Sequence, residues 1–115
     1  MTIADQTVQS LLHSLAAKEP TPGGGAVAGI LAALSTSLGN MVIAYSKGNE
    51  SLQAHDVLHD DCNHFLQSAM DEALLLGDAD AVAYEKISAL WKLPKDDPAR
   101  VPNWDEALAE AIEIP

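Results

Sequence analysis

Apolar residues recur at helical spacing along most of the chain, and no stretch of useful length alternates as a strand would. Ile3, Val8, Leu11, Leu12 and Leu15 share one face of a helix expected over Thr2 to Lys18. Thr2 or Asp5 is a suitable cap, and Lys18 suits the negative end of the dipole. His13 lies beside the apolar stripe and reads as a boundary histidine. A second helix, from Gly25 to about Tyr45, is apolar around its whole circumference, as core helices are. Ser46-Lys47-Gly48-Asn49 ends it, with Gly48 available for a left-handed cap. The third helix begins near Asn49 or Ser51, and Leu58, Cys62, Phe65, Ala69, Ala73 and Leu76 form its stripe. Gly77-Asp78 then reads as a break or bend, with Asp78 a candidate cap for a fourth helix. That helix, about Ala79 to Lys92, should bury Val82, Ala83, Ile87, Leu90 and Trp91. Pro94, Pro98 and Pro102 mark a loop over Leu93 to Pro102. Asn103 is expected to cap a last short helix, with Asp105 and Glu106 well placed in its first turn. The pattern predicts an all-α fold: one domain over residues 1–115, an orthogonal or antiparallel bundle of about five helices.

The turn before the second helix has chemistry of its own. Pro20 and Pro22 fix φ and hold their predecessors in extended conformations. Gly23, Gly24 and Gly25 carry no side chain, so their amides can be approached closely. Open amides at a helix N-terminus, where the dipole is positive, form a potential anion site. The residues lack the Gly-Lys-Ser/Thr of a P-loop and the preceding strand of a dinucleotide fingerprint, so a tight turn with close helix packing explains them equally well.

Ala26 to Tyr45 is twenty uncharged residues, about 30 Å as a helix and long enough to cross a bilayer. Ser35, Thr36, Ser37 and Asn40 lie in its middle, and its flanks lack basic clusters and aromatic belts. A buried helix is the better reading, and no membrane association is expected. Small residues at Gly25, Gly29 and Ala33, and at Ala28, Ala32 and Thr36, would let another helix approach closely.

The net charge of −11 opposes nucleic-acid phosphates and anionic membrane surfaces, and suits a cationic substrate. Cys62 is the sole cysteine, so no intramolecular disulfide forms. No basic region followed by an apolar core opens the chain, which points to the cytoplasm. His55, His59 and Cys62 fall at i, i+4 and i+7, a spacing that zinc accepts. Cys62 nevertheless belongs to the apolar stripe, and histidines beside Asp56 and Asp60 are ordinary on an acidic helix, so no metal is expected. Asp78 and Asp80 are two residues apart and point in different directions on a helix. Asp80, four residues before Tyr84 among small apolar side chains, could be half-buried and act as a base or cation partner. By spacing alone it reads as a first-turn acid that favours the dipole. Ser35, Thr36 and Ser37 have no identifiable base, so a serine nucleophile is unsupported.

Several stretches in order resemble one family. Pro20-Thr21-Pro22-Gly23-Gly24-Gly25-Ala26-Val27-Ala28, preceded by Leu11-Leu12-His13-Ser14-Leu15-Ala16, resembles the N-terminal signature of the formiminotransferase-cyclodeaminase C-terminal family. That family includes formimidoyltetrahydrofolate cyclodeaminases and methenyltetrahydrofolate cyclohydrolases. Met41-Val42 with Ser46-x-Gly48, Asp80-x-x-Ala83-Tyr84 running on to Leu93-Pro94-Lys95, and Glu106-Ala107-Leu108-x-x-Ala111-x-x-Ile114-Pro115 resemble its later motifs. The resemblance implies an all-helical, dimeric enzyme acting on a tetrahydrofolate derivative as substrate, without a metal. It makes Asp80 the candidate catalytic residue, opposite a positively charged one-carbon unit. Thr21, Pro22, Gly23, Gly24, Gly25 and Tyr84 become candidate substrate-binding residues.

Two departures qualify this. Asn49-Glu50 stands where the family carries a lysine-rich run suited to an anionic folate tail, and Ala44 replaces its usual asparagine. The chain also resembles only the first half of a domain about twice its size, within the usual range for domains. A half-bundle leaves apolar faces uncovered, so a homo-oligomer, at least a dimer, is expected to complete it. The alternative to an enzyme is a non-catalytic helical protein of the same family that assembles or binds folate.

Overall fold

The computed structural model describes residues 2–114. A short 3-10 turn, Ile3–Asp5, precedes four helices: α1 (Val8–Ala16), α2 (Gly24–Ser46), α3 (Asp56–Trp91) and α4 (Trp104–Glu113). A second 3-10 segment, Glu50–His55, leads into α3. No strand occurs among the described residues.

Several expected boundaries move, and the third helix, expected from Asn49 or Ser51, begins as α3 only at Asp56, after the 3-10 segment. The single helix expected from Thr2 to Lys18 is divided, because Thr7 caps α1: its hydroxyl accepts the Ser10 amide at 3.0 Å. The Thr2 hydroxyl instead bonds Asp5 at 2.6 Å. None of α1's residues is buried, and His13 is exposed. The expected third and fourth helices are one helix of 36 residues, about 54 Å long. Gly77 sits buried in its interior, where the Ile3 side chain and the Ala26 backbone fill the space a side chain would need. Asp78 caps nothing; its Oδ1 accepts the Ile3 amide at 2.9 Å and pins the N-terminal segment to α3.

α2 and α3 form an antiparallel hairpin whose register follows from close approaches. Gly25 faces Asp80, Gly29 faces Ala73 and Gly77, Gly39 faces Leu66, and Lys47 pairs with Asp60. A β-carbon on Gly29 would stand 2.6 Å from the Ala73 carbonyl oxygen, so a side chain there would wedge the two backbones apart. As expected, Gly48 takes the left-handed conformation after α2, with φ +83°.

α4 packs on the C-terminal part of α3, tied there by Lys86–Glu110 at 2.8 Å. The connection between them folds around Arg100, which lies over the Trp104 ring at 4.3 Å and donates to the Leu93 carbonyl. Trp91 meets Trp104 edge-on and is exposed, as is Val82, contrary to the expected burial of both. Asn103 precedes α4 without capping it, since its side-chain amide donates backwards to Ala99.

The hairpin is long and thin. The chain as a whole measures 68 × 29 × 17 Å with a Cα radius of gyration of 19.4 Å, against about 13 Å for a compact domain near this length. No large hydrophobic side chain is fully enclosed among the described residues. Along α2, Ala26, Gly29, Ala33 and Ile43 are buried, whereas Val27, Leu31, Leu34, Leu38, Met41, Val42 and Tyr45 form a second apolar stripe open to solvent. Only 22% of its most apolar window is buried. By length and composition alone, α2 could cross a membrane.

Candidate active site

The site forms where the turn into α2 meets the C-terminal half of α3. Gly23 is the residue before the first turn of α2, and its carbonyl accepts the Val27 amide at 3.1 Å. The antiparallel register brings Asp80 against that first turn, 55 residues away along the chain. A β-carbon on Gly25 would lie 1.8 Å from Asp80 Oδ2, so this position must be glycine for the carboxylate to occupy its place. The positive end of the α2 dipole and its open amides favour a negative charge here. Asp80 is half-buried, and its carboxylate takes no hydrogen bond among the described residues.

A recess of about 380 Å³ opens beside it, lined by Pro20, Thr21, Gly23, Gly24, Gly25, Asp80 and Tyr84. These are residues singled out in the sequence, now brought together from two distant segments. Pro22, joined to Thr21 by a cis peptide bond, is the exception. It lines a neighbouring recess with Thr21, Asp78, Val82 and Glu85. Tyr84 lies one helical turn beyond Asp80 and is half-exposed at the rim.

A second, largely apolar trough of about 300 Å³ meets the recess at Gly25 and Asp80. Ala28, Gly29 and Ala32 of α2 and Ala73, Leu76 and Gly77 of α3 form its walls. The small residues at helical spacing in α2 thus serve two faces: Gly29 admits α3, while Ala28 and Ala32 leave the trough open. Asp80 is the charged group at the junction of a polar recess and an apolar trough, an arrangement suited to a flat ring system carrying a cationic substituent.

At the other end of α2, Lys47 pairs with Asp60. The hydrogen bond and the opposite charge together hold the Asp60 carboxyl below its ordinary pKa and raise that of Lys47. This lysine borders the segment where Asn49-Glu50 stands, and it is engaged within its own chain. The His55, His59 and Cys62 set does not share one regular helix face, because His55 ends the 3-10 segment before α3 begins. The His55 and His59 rings are 6.2 Å apart and tilted, and Cys62 is exposed. No group of three metal-ligating side chains converges among the described residues.

Glu85 escaped the reading of the sequence. Its Oε1 accepts the Thr21 hydroxyl at 2.5 Å and joins the site's loop to α3. Nothing in the local pattern separates it from the chain's many solvated acids.

The helical fold and much of the sequence are shared with known proteins. The formiminotransferase-cyclodeaminase family profile matches residues 7–115, and the chain belongs to that family. It is 32% identical over 110 residues to the formimidoyltransferase-cyclodeaminase of Gallus gallus, covering 92% of this chain and 20% of that one. The formimidoyltransferase-cyclodeaminase of Sus scrofa is 30% identical over 119 residues, covering 93% and 22%. The crystal structure of formiminotetrahydrofolate cyclodeaminase from Thermotoga maritima superposes with a TM-score of 0.83 at 22% identity. It covers 97% of this chain and 54% of the crystallised one. The chain therefore spans about a fifth of those curated relatives and about half of the solved cyclodeaminase.

Proposed function

We propose that this chain acts in one-carbon folate metabolism, as a cytoplasmic homo-oligomer that binds a tetrahydrofolate derivative carrying a cationic one-carbon unit. The observation that carries the reading is the Asp80 carboxylate, held by the requirement for glycine at position 25 and set at the junction of recess and trough. A protonated amidine or iminium placed there is stabilised by the opposite charge. The same carboxylate can take the proton from the folate nitrogen, or from a water, that adds to the one-carbon unit. Addition of the nitrogen and loss of ammonia from the tetrahedral adduct gives cyclodeamination. Addition of water, followed by cleavage of one C–N bond of the adduct with return of the proton to that nitrogen, opens the ring to the formyl product. The trough's flat apolar walls suit the ring system, and Thr21 with the glycine amides offers polar contacts at the recess.

The uncovered stripe on α2 supports self-association, because a second copy would bury what the hairpin leaves open. A net charge of −11 disfavours nucleic acid as a further partner.

The test uses 5-formimidoyltetrahydrofolate and 5,10-methenyltetrahydrofolate in parallel, with solution mass measured on the same sample. Ammonia release or accelerated methenyl loss, abolished by Asp80→Asn in a protein that remains folded, supports the proposal. Full turnover in Asp80→Asn refutes the role of that residue. A second reading, a non-catalytic family member that assembles through the same stripe, is favoured by Lys47 being tied to Asp60 beside Asn49-Glu50. A folded oligomer inert towards both folates would make it the favoured reading.

A further inference from the structure

The loop Ala17–Gly23 forms one wall of the Asp80 recess, yet few interactions place it. Among the described residues, a single hydrogen bond joins this loop to α3: Thr21 Oγ1 to Glu85 Oε1, at 2.5 Å. A hydroxyl donating to an ionised carboxylate at this distance is in the strong, charge-assisted range. Thr21 lines both the Asp80 recess and the recess on the other side of the loop, whereas Glu85 lines only the latter. Glu85 thus holds the loop from the side of the neighbouring recess and does not itself line the one beside Asp80. The loop's remaining backbone bonds run to neighbouring turns, from Ala17 to Ser14 and from Val27 to Gly23, and neither sets its distance from α3.

We propose that Glu85 is a positioning residue for the Asp80 site: by accepting the Thr21 hydroxyl it fixes the Pro20–Gly23 wall relative to the Asp80 carboxylate. The proposal rests on the folate reading above for its catalytic consequence, but the latch itself can be observed without turnover. Both residues are at or near the surface, so removing the bond leaves the packed hairpin intact. A small displacement of a positioning wall nevertheless has a large effect on rate.

The experiment compares the wild-type chain with Glu85→Ala, Glu85→Gln, Thr21→Val, Thr21→Ser and the double variant Thr21→Val/Glu85→Ala. It measures turnover of 5-formimidoyltetrahydrofolate, thermal midpoint, and the NMR amide resonances of Gly23, Gly24 and Gly25. Glu85→Ala and Thr21→Val should each shift the glycine resonances and lower kcat/KM about tenfold at an unchanged midpoint. Thr21→Ser and Glu85→Gln, which keep a donor and an acceptor, should restore both readouts, and the double variant should be no worse than either single one. Additive losses in the double variant, or a Thr21→Ser variant as impaired as Thr21→Val, would overturn the proposal. If the wild-type chain turns over no folate, the functional reading fails and the glycine resonances alone decide. Matching shifts in Glu85→Ala and Thr21→Val then uphold the latch, and unmoved resonances overturn it.

Discussion

Gly25 and Asp80 claim the same space: a β-carbon on Gly25 would lie 1.8 Å from Oδ2 and 2.3 Å from Cγ of Asp80. The glycine of one helix is thereby matched to the carboxylate of the other. Gly25→Ala should swing the Asp80 side chain out of place at modest cost in stability, because the clash falls mainly on the end of a flexible group. Under the proposed folate chemistry, turnover should drop nearly as far as in Asp80→Asn. Gly24→Ala provides the stability control, since no atom lies within 4 Å of its β-carbon; its midpoint should be unchanged or correspond to a gain below about 1 kcal/mol. A Gly25→Ala protein with full activity would show that the position of Asp80 is immaterial.

Gly29 and Gly77 separate two kinds of close packing. The β-carbon of Gly29 would meet the carbonyl oxygen of Ala73 at 2.6 Å, an atom of backbone that cannot turn aside. That of Gly77 would meet the tip of the Ile3 side chain at 2.8 Å, which can. Gly29→Ala should cost about 1–3 kcal/mol, the usual range for overpacking. Gly77→Ala should be near neutral, its strain offset by about 1 kcal/mol of gained helix propensity. Denaturant midpoints of the two variants would check the order, and equal losses would contradict it.

Lys47 and Asp60 predict a pH dependence with a definite sign. The folded-state pKa of Asp60 is lowered by the hydrogen bond and charge of Lys47, so its contribution exists above the ordinary aspartate range. It disappears as pH falls through the lowered value. The folded-state pKa of Lys47 is raised, so its contribution is complete below the ordinary lysine value and is lost as pH rises through the raised one. The pair is therefore intact throughout the neutral range. In an NMR titration, Lys47→Gln should move the Asp60 midpoint upward towards its ordinary value. High salt should do so in part, because both groups are exposed. A midpoint indifferent to Lys47 would dispose of the pairing.

The outward stripe of α2 predicts assembly. Leu34 and Leu38 are 56% and 59% exposed, on the face turned away from α3. The wild-type chain should have at least the mass of a dimer by light scattering. Leu34→Asp/Leu38→Asp should reduce that mass towards the monomer and lower the thermal midpoint. A wild-type monomer of full helicity would rule out self-association.

Much of this architecture was legible in the sequence because helical periodicity is local. The extent of α2, the proline loop and the left-handed Gly48 all follow from residues near one another. Gly77 was not legible. Glycine inside a helix costs about 1 kcal/mol relative to alanine, and with Asp78 beside it the position resembles a break; what keeps α3 continuous is Ile3 and Ala26, distant in sequence, filling the space. Thr7 won the cap of α1 from Thr2 for a similar reason, since Ile3 is held to Asp78 in a separate turn. The candidate site was legible only through the family resemblance. Asp80 alone is indistinguishable from a first-turn acid, and its pairing with Gly25 exists only once α2 and α3 are in register. Glu85 carried no local signal, because its partner lies across the fold.

The unbroken α3 has unequal cover along its length. Gly77, Ala83 and Ile87 are its buried residues, all in the half flanked by Ile3, Ala26 and α4, while Asp56 to Leu76 contains none. Amide hydrogen exchange should therefore be graded along one helix, with opening that begins at the Asp56 end and fades towards Gly77. Asp80 stands on the slow-exchanging side of that gradient. The far half of the helix can fray and re-form, or await a covering partner, while the stretch of backbone that carries Asp80 stays in place.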